Sequence, residues 1–128
     1  MDVKTKEMKR IHLYRGKRLD NGQWVEGTIH FNGKYILSNK HRNNYHEWVE
    51  IIPETVGQYT GIDDREGEKI FEGDIFKIGA ENNIYTVRFD YGCFLAYEDD
   101  VQVGILAELS TMFIKKIGNI HDNKELLS

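Results

Sequence analysis

Apolar residues along the chain arrive in short runs, broken every few positions by glycine, asparagine or aspartate. That rhythm predicts strands and tight turns rather than long helices. Ile11-His12-Leu13-Tyr14 begins a first extended run, and Gly16 to Gly22 is a polar turn with Asp20-Asn21-Gly22 as its strongest signal. Trp24 to Phe31 returns as a strand rich in aromatic and β-branched residues. Asn32-Gly33 is a second hairpin signal before Lys34-Tyr35-Ile36-Leu37, and Ser38 to His46 is a polar loop. Trp48-Val49-Glu50-Ile51-Ile52 reads as a short strand stopped by Pro53. Gly57 to Ile62 and Lys69-Ile70-Phe71 flank a turn over Asp63 to Gly67. Asp74 to Ile78 and Ile84 to Phe89 form the next pair, and Asp90-Tyr91-Gly92 turns the chain into Cys93 to Tyr97. Met112 to Ile120 reads as the last strand.

Two stretches depart from the strand rhythm. Ile105, Leu106, Leu109, Met112 and Phe113 fall at helical spacing, in a run too short to separate helix from strand. Asp122-Asn123 is placed to cap a terminal turn carrying Leu126 and Leu127. An internal similarity is also present. Tyr14-Arg15-Gly16 aligns with Tyr59-Thr60-Gly61, Gly22 with Gly67, and, after one inserted residue, Glu26-Gly27-Thr28-Ile29 with Glu72-Gly73-Asp74-Ile75. Either one hairpin unit is used twice, or two hairpins converge on the same turn and strand chemistry. Duplication predicts that 14–29 and 59–75 are related hairpins, with Gly27 and Gly73 at similar special backbone positions.

Composition narrows the class. The chain has 128 residues, 12% of them aromatic, with one proline and one cysteine, Cys93. The aromatic share argues against disorder, and a lone cysteine excludes an internal disulfide and a cysteine-rich zinc site. No apolar run approaches the ~20 residues of a membrane helix. The N-terminus has no apolar stretch behind its charges, so no secretory signal is expected there. These features give the expectation of a cytoplasmic protein with no membrane partner.

Charge adds an asymmetry that the net value of -4 conceals. Residues 1–50 carry ten basic and six acidic side chains; residues 51–128 carry seven and fifteen. Basic residues are densest at Lys4, Lys6, Lys9, Arg10, Arg15, Lys17 and Arg18. Acidic ones are densest at Asp63, Asp64, Glu66, Glu68, Glu72 and Asp74, and at Glu98-Asp99-Asp100. A basic arm for nucleic acid, attraction between copies and plain solvation are the three readings of this split.

Catalytic chemistry finds little support. His41 and His46 are five apart and His30 is distant, without a His-Glu-x-x-His motif. The cluster from Asp63 to Asp74 has the oxygen donors a Mg²⁺ ion needs, but it reads as a solvated turn. The only Glu-x-Lys is Glu7-Met8-Lys9, which lacks a suitable upstream acid for a nuclease. Gly-x-Ser-x-Gly and Walker patterns are absent. Cys93 has no adjacent histidine to favour its thiolate and reads as a small, mostly buried residue. Tyr14, Trp24, Phe31 and Tyr35 share the first half with the basic residues, an arrangement suited to stacking on single strands, but strand positions make core packing the stronger reading. Trp24, Trp48, Met112 and Phe113 are read as core, with an interface role as the alternative. No catalytic, cofactor-binding or metal-binding residue is assigned.

Five segments together resemble the YopX proteins of phages and prophages: Tyr14-Arg15-Gly16-Lys17; Gly22-Gln23-Trp24-Val25-Glu26-Gly27; Ile52 to Gly61; Lys69-Ile70-Phe71-Glu72-Gly73-Asp74-Ile75; and Ile117-Gly118-Asn119-Ile120-His121-Asp122-Asn123. They run in the family's order from about residue 11 to the C-terminus. Lys124 stands where the family often has proline. The resemblance implies a phage or prophage origin, a mainly β fold with an SH3-like barrel, and self-association. It carries no site residues, because the family has no established activity or ligand. The expected architecture is mainly β with little helix: an N-terminal hairpin unit with a basic arm over 1–52, and an SH3-like barrel unit with a C-terminal turn over 53–128. The expected role is a non-enzymatic, self-associating interaction module in the host bacterial cytoplasm, partnered by its own copies or by an unidentified phage or host protein. The alternative is a nucleic-acid-binding regulator using the basic first half.

Overall fold

A computed structural model describes residues 13–38 and 47–127. The proposed Ile11-His12 start, most of the Ser38–His46 loop, His41 and His46 lie outside the described residues. The fold is mainly β, as the strand rhythm predicts. The chain divides into two compact units, Met1–Tyr59 and Thr60–Ser128.

The first unit holds β1 (Tyr14–Arg18), β2 (Trp24–His30), β3 (Tyr35–Ser38) and most of β4 (Trp48–Asp63). Each strand pairs antiparallel with the next, and β4 also pairs with β1, so the pairings form a closed cycle. Alternate residues point inward, and Ile36, Val49 and Ile51 are buried against Val25, Ile29 and Val56. Gly27 is required by close approach: a Cβ there would overlap the Leu37 carbonyl oxygen across the β2–β3 pair.

Pro53 does not stop β4. Opposite it, the register jumps from Lys17↔Ile52 to Arg15↔Gly57, so residues 53–56 bulge out of the ladder. The missing proline N–H therefore costs no ladder bond. Thr55 fills the gap: its hydroxyl donates to the Ile52 carbonyl at 2.6 Å and accepts the Lys17 N–H at 2.8 Å. The expected Asn32-Gly33 turn is a four-residue loop, Phe31 to Lys34, with Phe31, Asn32 and Gly33 all at positive φ. Gly16, expected in a turn, lies within β1.

In the second unit the end of β4 pairs with β5 (Lys69–Phe71). A second antiparallel sheet follows in the order β10-β6-β7-β8-β9, from β6 (Asp74–Ile78), β7 (Tyr85–Asp90), β8 (Cys93–Glu98), β9 (Val101–Ile105) and β10 (Ile114–Asn119). The expected SH3-like barrel is a finer statement than these pairings make. The core joins Ile70, Phe76, Tyr85, Val87, Ala96, Leu106 and Ile114. Strand β9 has no counterpart in the sequence reading, and the helical spacing from Ile105 yields only one turn, α1 (Leu106–Leu109), with Leu106 buried. Met112 and Phe113 precede β10 and are exposed, as is Trp48 on β4, so the core assignment for these three is overturned. Trp24 is half-buried, with the Arg15 guanidinium 4.6 Å and the Lys17 ammonium 5.4 Å from its ring centroid.

The two aligned segments are both hairpins up to their turns, and a β-carbon is disfavoured at both glycines, but for different reasons, so the expected similarity of their backbone positions fails. Gly27 sits inside a continuous strand, whereas Gly73 has φ +92° in the turn that separates β5 from β6. The one-residue insertion in the alignment falls near that break, where a strand continues in the first copy and the chain passes into the second sheet in the other.

Candidate functional site

The acidic turn is the first test, because the sequence presents it as a solvated surface. Two of its members are instead buried. Asp64 Oδ1 accepts the N–H groups of Glu66 and Glu68 at 2.9 Å each, and its Oδ2 accepts the Lys116 N–H at 3.0 Å. Burial is the largest influence on this carboxyl and pushes its pKa up. The three backbone donors and the Lys116 charge together outweigh it and hold the pKa below the ordinary value. Asp74 is 0% exposed; its Oδ2 accepts the Phe71 N–H at 2.7 Å and lies 3.2 Å from Lys116 Nζ. That ammonium also donates to the Lys69 carbonyl at 3.1 Å. Through these contacts the two carboxylates tie the 63–68 turn and the β5–β6 turn to β10. Glu66 pairs with Lys115 at the surface. Among the described residues no group of three His, Cys, Asp or Glu side chains is arranged to hold a metal ion. Cys93 is half-buried rather than mostly buried, its thiol turned to the Asp90 carbonyl at 3.7 Å.

A cleft of about 390 Å³ lies in the second unit. Its floor is Ile84, Thr86, Val87 and Arg88; Ile120 and Leu127 supply apolar wall, and Asp99 and Asp100 the rim. The wall is built by a tightly bonded loop. Asn119 Oδ1 accepts the N–H groups of His121 and Asp122 at 2.9 Å each, its Nδ2 donates to Asp122, and its backbone N–H donates to Asn123 Oδ1 at 3.0 Å. The side chain expected to cap the terminal turn thus bonds backward, and the 3-10 turn Lys124–Leu127 follows it. Ile120 N–H donates to the Gly73 carbonyl and Gly73 N–H to the Val87 carbonyl, each at 2.9 Å. Through these two bonds the glycine at the β5–β6 turn ties wall to floor.

At the rim, Arg88 Nη2 donates to Asp100 Oδ1 at 3.0 Å and to the Asp99 carbonyl at 3.2 Å, while its guanidinium lies 4.3 Å from the Tyr97 ring centroid. Asp90 accepts the Tyr97 hydroxyl at 2.9 Å, a bond that, with burial, pushes the phenol pKa up. Arg88 therefore neutralises one of two rim carboxylates and leaves a cleft of mixed polar and apolar lining with a net negative edge. In the sequence, Asp99 and Asp100 are visible as an acidic run, Leu127 as part of the terminal turn and Ile120 as part of the last family-like segment, but nothing there groups them into one site.

A second feature lies in the first unit. Phe31 is 65% and Trp48 50% exposed. Their ring centroids are 5.5 Å apart; Tyr35 meets Phe31 at 5.5 Å and His30 meets Trp48 at 4.7 Å, both edge-on. Cross-strand register explains the grouping, since Thr28, Leu37 and Trp48 share the outward face with His30, Tyr35 and Glu50 two residues along. Beside Trp48 a shallower groove is lined by Arg18, Leu19 and Asp20, with Arg18 paired to Asp20 at 3.0 Å and Glu47 at 3.1 Å. Hydrogen bonding to Asp20 is the largest reason the guanidinium is held still more firmly protonated than usual. Of the stacking candidates, Phe31 and Tyr35 join this cluster.

Comparison with known proteins matches residues 3–128 to the family described as YopX protein. Among solved structures the chain is similar to the crystal structure of protein EF1440 from Enterococcus faecalis, with 26% identity and a TM-score of 0.58, covering 90% of this chain and 96% of that one. No curated protein matches. The match spans nearly the whole sequence, so the chain belongs to the YopX family.

Proposed function

We propose that this member of the YopX family is a non-enzymatic interaction module that associates with copies of itself. In this reading it is phage- or prophage-derived, works in the host bacterial cytoplasm, and uses its assembled form to engage a phage or host protein. The observation that carries the reading is the charge division between units: residues 1–59 hold ten basic and seven acidic side chains, residues 60–128 seven and fourteen. Unlike charge on two separate units lets one copy attract another at either unit, whereas a single-signed surface would repel its own kind. Attraction between exposed charges fades over about 8 Å at physiological salt, so a stable assembly also buries apolar surface, of about 1,000 Å² or more. The exposed rings of Phe31, Trp48 and Phe113 are suited to that burial. Light scattering after size exclusion tests the proposal: a mass well above 15.0 kDa at micromolar concentration is expected, and a monomer at low and physiological salt would overturn it.

A nucleic-acid-binding role is the second reading, favoured by the exposure of Phe31 and Trp48 beside Lys34. Glu47, just before β4, and Glu50 on it weigh against phosphate there. Filter binding at low and high salt separates the two, because phosphate contacts make nucleic-acid affinity fall steeply with salt.

A further inference from the structure

We propose that the cleft of the second unit receives the basic arm, residues 1–12, of a second copy of this chain. This rests on the self-association proposed above and names its contact. The cleft presents two chemistries side by side: apolar surface from Ile84, Ile120 and Leu127 around Thr86, and a rim where Asp99 and Asp100 outnumber Arg88. An occupant that satisfies both is a segment with aliphatic side chains beside cations. The arm has that composition. It carries Lys4, Lys6, Lys9 and Arg10 against Asp2 and Glu7, and Met8 and Ile11 flank the Lys9-Arg10 pair. No other part of the chain sets a pair of adjacent cations directly between two aliphatic residues except Ile114-Lys115-Lys116-Ile117, which is committed to strand β10.

Size agrees with the chemistry. Ligand clefts run from about 300 to 1,000 Å³, and at about 390 Å³ this one suits one or two side chains rather than a folded element. The rim is prepared for a cation: Arg88 already holds one oxygen of Asp100, and the Asp100 side chain is 95% exposed, so its other oxygen is open to an incoming charge. An arriving Lys9 or Arg10 gains the rim carboxylates while its aliphatic neighbour enters the interior.

The test is a charge swap in the full-length chain, read by analytical ultracentrifugation. Asp100→Lys and Arg10→Glu should each weaken self-association about tenfold, and the two substitutions together should restore it to within about threefold of wild type, the pattern of directly coupled residues. Thermal unfolding of each variant controls for folding. A wild-type chain that is itself monomeric would overturn the self-association reading and this inference with it. Association that survives both single substitutions, or losses that the combination does not repair, would overturn the arm–cleft contact alone. A second measurement is independent of assembly: a synthetic peptide of residues 1–12, added to the Arg10→Glu chain, should shift the amide resonances of Ile84, Thr86, Ile120 and Leu127. Shifts confined to the Trp48 face, or none at millimolar peptide, would overturn it.

Discussion

The two units solve the same problem, burying one face of short strands, with different means. The first closes four strands on a cluster of three buried aliphatic residues and leaves two large rings, Phe31 and Trp48, in the open. The second gathers seven buried hydrophobic residues and adds buried carboxylates that pin its turns, with Asp64 and Asp74 both anchored against Lys116. A small core depends on backbone fit, as at Gly27, while a core stitched by charge depends on every partner staying in place. The first unit therefore has apolar surface to offer, and the second has charge inside it that is costly to disturb.

The largest expected effect lies in the stitching. Asp74→Ala leaves the Phe71 N–H and the Lys116 ammonium without the carboxylate that both face. Removing one partner of a buried pair costs about 3 kcal/mol or more, which for a chain of this size lowers the melting temperature by about 10 °C. Calorimetry that finds a loss near zero would show that the second unit does not rely on its internal charge. The matching test in the first unit is Gly27→Ala. Its methyl would meet the Leu37 carbonyl, and overpacking against backbone costs about 2–3 kcal/mol. A larger loss than Asp74→Ala would reverse the ranking of the two devices.

Much of this architecture is legible in the sequence, and the failures share a cause. Strands β2, β6, β7 and β8 follow from alternating apolar residues between Gly- and Asn-rich turns, because the hairpin supplies the pattern locally. Strand β9 is hidden in the sequence: Gln102 and Gly104 dilute its apolar content, and the helical spacing that becomes α1 at Leu106 and Leu109 draws in Ile105, the strand's last residue. Pro53 misled because its tolerance depends on a bulge set by the register to β1, a strand more than thirty residues away. The buried acids misled for the same reason. Asp64 in sequence is one carboxylate among many; only the fold brings the Lys116 N–H to it across 52 residues. The cleft is the least visible feature, since its wall at Ile120 is brought to its floor only by the long-range bonds from Ile120 to Gly73 and from Gly73 to Val87.

Asp64 also carries a pH signature that separates the units. Its folded pKa lies below the ordinary value of 3.8, so it contributes stability above that value, and the contribution is lost as pH falls through the folded pKa. Asp64→Asn should cost about 1–2 kcal/mol at neutral pH, the scale of lost charge-assisted bonds. The difference from wild type should stay constant above about pH 5 and shrink as pH drops below about 4. Denaturant titrations at pH 3 and pH 7 check this; a gap that grows on acidification would contradict the role given to its three donors.

The smallest effect isolates the exposed rings. Phe31 in the first unit and Tyr91 in the second both hold left-handed backbone, at φ 55° and 54°, a conformation that costs a bulky residue about 1 kcal/mol. Tyr91 is 90% exposed and precedes Gly92, also at positive φ, so Tyr91→Asn creates an Asn-Gly hairpin turn at a site suited to it. It should stabilise by about 0.5–1 kcal/mol. Phe31→Asn gains the same backbone relief, since asparagine tolerates the left-handed region, but it gives up the edge contact with Tyr35 and the packing on Trp48. Aromatic pairs are worth about 0.5–1.5 kcal/mol each, and these are partly solvated, so the net change should lie within about 0.5 kcal/mol of zero. The difference between the two substitutions is then a measure of what the ring cluster contributes to the lone chain. If Phe31→Asn stabilises as much as Tyr91→Asn, the rings contribute nothing to folding, and the strain at Phe31 is left to be explained by binding. If it destabilises by more than about 1 kcal/mol, the cluster belongs to the first unit's own packing, and its surface has less to offer a partner.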